Sequence, residues 1–262
     1  MDVKKMKVVS PKVPMKCRPF LGKSFKIRNQ YELFWSRPGA KEDVEAYLNK
    51  TENHVYQTVP KGVQPRTPFT EWKGANFGES ENALIIGNHA SFYAGQYKDA
   101  PEKAGMSMIH VLAIPKANIF NGVSLDKSNV FIINEMINLF KHSWEEPGTR
   151  KAMIDHQLDA LRRRNQEVPD TRVYGTAIKR FRELEAMAND IPIEDFTYGF
   201  HLFPDNSVGH LHMHIFAFRH KYRRYSTYAH DDKTIDALEV RSFVTRHREP
   251  QPEVDPSQTL DT

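Results

Sequence analysis

Cysteine is nearly absent from this 262-residue chain, with Cys17 standing alone. One thiol excludes an intramolecular disulfide and a four-cysteine metal site. No apolar run approaches the ~18 residues of a membrane-spanning helix. The N-terminus is positive but lacks the apolar stretch of a secretory signal. The expected setting is therefore a reducing compartment, cytosol or nucleus, with no membrane partner. Solenoid-period repeats are also missing. A net charge of +4 leaves anionic partners open without demanding them.

The charge is unevenly placed. Lys4, Lys5, Lys7, Lys12, Lys16, Arg18, Lys23, Lys26 and Arg28 crowd the first residues against a single acid, Asp2. Such a run reads as a solvated arm or as one that reaches for phosphate. The last residues are Pro-rich and mostly acidic, a composition too poor in apolar groups to pack. The layout expected is a basic extension over 1–79 with some strand and helix, packed on the core. A catalytic domain over 80–246 and a disordered tail over 247–262 follow.

Apolar spacing predicts strands over 25–35, 54–59, 83–86, 110–114, 196–203 and 210–218, and a short helix over 42–48. Longer helices are predicted around Val130, Ile133, Ile137 and Phe140, stopping at Pro147-Gly148. Others lie around Ile154, Leu158 and Leu161, around Ile178, Phe181 and Leu184, and over 234–244. Strands, then helices, then strands argue for an α+β fold: an antiparallel sheet of about five strands with packed helices.

Within Gly209-His210-Leu211-His212-Met213-His214-Ile215-Phe216 the alternation is strict. In a strand, residues i, i+2 and i+4 share a face, so three imidazoles line up while Leu211, Met213 and Ile215 face a core. Two chemistries use such a row. Imidazoles two apart, ~6.6 Å at their roots, can share a metal ion, but the third lies ~13 Å away. No carboxylate occurs at 215–218, so further ligands would come from elsewhere. A metal-dependent lyase or oxygenase stays open on those terms. Alternatively, a neutral imidazole is a competent nucleophile near pH 7, and its neighbour can donate a proton.

His-X-His-X-His followed by Ile215-Phe216 resembles the histidine-triad superfamily. Asn206-Ser207-Val208-Gly209 is similar to the phosphate-contacting stretch of its nucleotide-binding hydrolases. Gly199-Phe200-His201-Leu202-Phe203-Pro204 resembles the approach to the triad in aprataxin-like and scavenger-decapping members. Upstream, His110-Val111-Leu112-Ala113-Ile114-Pro115-Lys116 is similar to the family's first conserved strand. The resemblance covers roughly 80–220.

It implies His212 as the nucleophile toward an α-phosphorus, and His214 as the group that contacts a phosphate oxygen and helps the leaving group. It also implies that the carbonyl of His210 holds the nucleophile's other ring nitrogen, with His110 in support from a neighbouring strand. Ser207 and Asn206 would bind phosphate, Asn88 would take the place of a ribose-binding acid, and Lys116 would line the substrate site. The activity implied is a nucleotide hydrolase or nucleotidyl transferase acting on phosphoanhydride or phosphoramidate bonds. It needs no cofactor. A non-catalytic nucleotide-binding module and a scaffold turned to a non-nucleotide substrate remain alternatives.

The chain departs from the pattern in its 91–107 insertion, in its long helical stretch, in Asn88, and in Gly209, where a bulkier residue is usual. Small members pair across an edge strand, which leaves a homodimer open. Beyond the triad, Arg219, Lys221, Arg223 and Arg224 surround Tyr222, a mixture able to hold a nucleic-acid backbone or simply to end a strand in solvent.

Overall fold

The computed structural model describes residues 20–48, 67–69 and 75–246. Cys17, the strand expected over 54–59 and the tail expected over 247–262 lie outside the described residues.

Six strands form one antiparallel sheet: β1 (Asn76–Glu79), β2 (Ala83–Gly87), β3 (His110–Pro115), β4 (Phe196–His201), β5 (Met213–Ala217) and β6 (Thr234–Asp236), ordered β1-β2-β3-β5-β4-β6. The sixth strand lies where a helix was expected. Thr234 and Ile235 pair with His201 and Phe200. Asp236 then accepts from the Leu238 and Glu239 N–H groups at 2.9 and 3.1 Å, ending the strand and capping α7 (Ala237–Arg246).

The segment expected as a strand over 25–35 is instead a helix, α1 (Ser24–Trp35). Its buried residues are Ile27, Gln30 and Phe34, a spacing of three and four that belongs to one helix face rather than to an alternating strand. α2 (Ala40–Leu48) follows, close to the helix expected there.

α3 (Ile132–Glu145) ends before Pro147, but that proline opens the next helix rather than a loop. Glu146 caps α4 (Pro147–Glu167) by accepting from the Gly148 and Thr149 N–H groups. Proline is favoured here, because a first-turn N–H would be unbonded anyway. α5 (Thr171–Ala188) is capped by Asp170, and α6 (His220–Arg223) is one short turn.

The helices cover one sheet face. Ile85, Val111, Ala113, Met213 and Ile215 join Met136, Phe140, Trp144 and Phe181 in the main core, which also takes in Ile27 and Phe34 of α1. The opposite face is divided. Leu84, Ile86, Leu112 and Ile114 form a small apolar cluster with Phe69, and the neighbouring strands present histidine.

Candidate active site

The ladder sets the site. His214 of β5 stands opposite Leu112 of β3 and Gly199 of β4, so His110, two residues before Leu112, meets it diagonally. The row is not one continuous strand, because β5 begins at Met213. Ahead of it, the Leu211 N–H donates to the Ile119 carbonyl at 2.7 Å, pairing this stretch with the loop after β3. The alternation nevertheless persists, with Leu211, Met213 and Ile215 in the helix-side core.

Hydrogen bonds then determine where the ring protons sit. The Met106 N–H donates to His110 Nδ1 at 3.1 Å. Asn88 Nδ2 donates to the same nitrogen at 3.0 Å, its Oδ1 occupied by the Ala90 N–H. An accepting nitrogen carries no proton, so neutral His110 is protonated at Nε2. That Nε2–H donates to His214 Nδ1 at 3.1 Å. By the same logic the His214 proton moves to Nε2, a buried nitrogen with no partner.

His212 has the opposite arrangement. Its Nδ1–H donates to the His210 carbonyl at 2.8 Å, leaving the Nε2 lone pair free. Two imidazoles with centroids 4.9 Å apart therefore offer a nucleophilic nitrogen and a proton donor side by side.

His210 differs from both. The Tyr47 hydroxyl donates to its Nδ1 at 2.6 Å, and its Nε2–H donates to the Pro115 carbonyl at 3.1 Å. The ring is fully buried and saturated; only the carbonyl faces the chemistry.

Burial also keeps the cluster neutral. Desolvation lowers His210 to about 4, and together with the nearby His230 and Arg223 it lowers His110 to about 3. His212 and His214 are pushed down mainly by the same loss of water. His201 is the fifth imidazole of the cluster, stacked 4.1 Å from His214 and lowered by burial to about 2. The Thr234 hydroxyl donates to the His230 carbonyl at 2.7 Å and so accepts from His201 Nε2 at 3.1 Å. Only glycine at 199 permits this, because a Cβ there would come within 2.5 Å of the Thr234 methyl.

No family model, curated protein or solved structure matches this chain, so the site is read from its own geometry.

The other residues singled out from sequence are placed unevenly. Asn88 does not present a free side chain for a ribose, since its amide is bound to His110 and Ala90. Lys116 is buried in an ion pair with Glu79 at 2.6 Å. Ser207 is exposed, and Asn206 Nδ2 turns back to the Val208 carbonyl. At Gly209 a Cβ would press on the Phe120 ring at 3.0 Å, so Phe120 fills the space a bulkier residue would need. The 91–107 insertion lies behind His110 and supplies the Met106 N–H.

The basic stretch is largely tied down. Arg219 pairs with Asp195, Arg224 with Glu183, and Arg223 with Asp231 through two nitrogens. Among the described residues, no three His, Cys, Asp or Glu side chains are arranged to hold a metal ion. Tyr47, His201 and Thr234 went unread as site residues. Of these only His201 left a signal, as a histidine at the end of an apolar strand.

Proposed function

We propose that this protein is a nucleotide hydrolase or nucleotidyl transferase working through a covalent phosphohistidine. The observation that supports the reading best is the pair of ring protons: His212 offers a bare Nε2, and the neighbouring His214 offers an unpartnered Nε2–H.

In this mechanism the His212 Nε2 lone pair attacks the α-phosphorus. A P–N bond forms as the bond from phosphorus to the leaving group breaks; the leaving group departs with the bonding pair, and its developing charge meets a hydrogen bond from the His214 Nε2–H. A water or an acceptor hydroxyl then attacks phosphorus, the P–N bond breaks with its electron pair returning to His212 Nε2, and the proton shed by the attacking group passes to solvent. The His210 carbonyl, accepting from His212 Nδ1–H, steadies the positive charge that develops on the attacking ring. His110 and Asn88 act one step back by fixing the His214 tautomer.

The test exploits the lability of P–N bonds in acid and their persistence in alkali. Enzyme mixed with dinucleoside polyphosphates, nucleoside phosphoramidates or cap analogues is quenched in alkali and digested. One nucleotidyl group is expected on the peptide containing His212. His212→Ala should lose the adduct and at least ~10³-fold in turnover, because no other nucleophile has the same reach. His214→Gln should slow both steps by ~10²- to 10⁴-fold without moving the attachment point. Normal turnover by His212→Ala would end this mechanism. Nucleotide binding without any turnover would favour a non-catalytic module.

A further inference from the structure

The histidine cluster is neutral at pH 7, because burial holds His110, His201, His210, His212, His214 and His230 below the ordinary imidazole range. A phosphate entering such a site needs a cation. Arg219, Arg223, Arg224, Lys26 and Lys116 are each held by a carboxylate. The Lys221 ammonium lies over the Tyr222 ring.

Lys233 stands apart. It is half-buried, and no hydrogen bond or ion pair engages it among the described residues. Its position is bracketed from two sides. The next residue, Thr234, accepts from His201, and the Lys233 charge acts on His201, His212 and His230. On the other side it feels Asp205, the residue just before Asn206-Ser207-Val208-Gly209.

The loop that carries it is pinned. Lys23 Nζ donates to the Asp231, Asp232 and Thr234 carbonyls at 2.7, 3.1 and 2.9 Å, and Lys26 Nζ donates to the Asp232 carbonyl at 3.0 Å. Arg223 clamps the Asp231 carboxylate. A lysine on a fixed loop loses less freedom when it binds.

We propose that Lys233 is the cationic anchor for the substrate's phosphate, holding it between His212 and the 206–209 stretch. The catalytic consequence rests on the phosphohistidine reading, whereas anion binding does not.

Inorganic pyrophosphate is the probe, titrated calorimetrically into the full chain, Lys233→Met, Lys233→Arg and His212→Ala. The wild-type protein and His212→Ala should bind it. Lys233→Met should bind about 10- to 100-fold more weakly, the loss of one charge-assisted hydrogen bond. Lys233→Arg should stay within about threefold, since it keeps the charge and the donors. Unfolding midpoints should hardly move, because no protein partner is lost.

Wild-type protein that ignores millimolar pyrophosphate, or Lys233→Met that binds it as tightly, overturns the proposal. If pyrophosphate binds through Lys233 while His212→Ala turns over nucleotides normally, the anchor stands and the phosphohistidine reading falls. If the His212 adduct forms while Lys233→Met binds unchanged, the reading stands and the anchor falls.

Discussion

Two neighbouring stretches, His210–His214 and Arg219–Arg224, invite the same reading in sequence, as groups for phosphate. The fold treats them oppositely. In the first, two ring nitrogens are left without a protein partner beside one another. In the second, three guanidiniums are bound to carboxylates, and Arg223 is buried, with Nε on the Met106 carbonyl at 2.8 Å. Residue type announces what a side chain can bind. Whether it remains available depends on what the chain has already placed against it.

That contrast predicts different costs. Arg223→Ala should lose about 2–4 kcal/mol of stability, because the Met106 and Thr227 carbonyls lose a buried charged donor while the partly exposed Asp231 carboxylate loses its partner to water. Arg224→Ala, on the exposed pair with Glu183, should lose at most about 1 kcal/mol. Urea unfolding of both variants checks this. Equal losses would mean that Arg223 does not clamp Asp231 and the Met106 carbonyl.

The next expected effect concerns acid. Unfolded imidazoles titrate near 6.5, whereas burial holds His210 at about 4, His110 at about 3 and His201 at about 2. Between those values the unfolded chain binds more protons, so the stability these rings contribute is whole above ~6.5 and is lost as pH falls toward 4 and below. Each neutral buried ring adds a slope of up to about 1.4 kcal/mol per pH unit in that window. Urea midpoints measured at steps between pH 7.5 and 5 should fall steeply. A flat profile would mean that the cluster is already charged or open to water, and the proton placement would fail with it.

Much of this was legible in advance, and each exception has an identifiable cause. Leu211, Met213 and Ile215 alternate with histidine, so the two faces of β5 could be read locally. β2 and β3 were equally plain as short apolar runs. α1 was not, because its buried face includes Gln30, a polar residue whose Nε2 donates to Asp205 at 2.9 Å. That partner is 175 residues away, and no local pattern reveals it. β6 was lost because three strand residues run into a helix with Asp236 serving both, leaving no glycine or proline to mark the joint. Asn88 illustrates the same limit within the site. Its place in the chain suggested a ribose contact, and only the ladder shows its amide on His110.

A small effect gives the most direct test of the difference between His210 and its neighbours. Tyr47 and His210 meet 163 residues apart, the phenol donating to Nδ1 at 2.6 Å. Burial raises the tyrosine's titration well above its ordinary range, so the hydroxyl remains a donor through any working pH. Tyr47→Phe removes one oxygen and leaves a buried imidazole nitrogen without its donor. The cost should be about 1–2 kcal/mol, which at this size lowers the melting midpoint by roughly 2–8 °C. Turnover should change far less. The nucleophile is held by the His210 carbonyl, not by its ring, and the phenylalanine still fills the space beside Phe120. Stability lost with activity kept would mark His210 as the wall against which the catalytic pair is built. Activity lost with the midpoint unmoved would give the His210 ring a chemical role and make all three histidines one working unit.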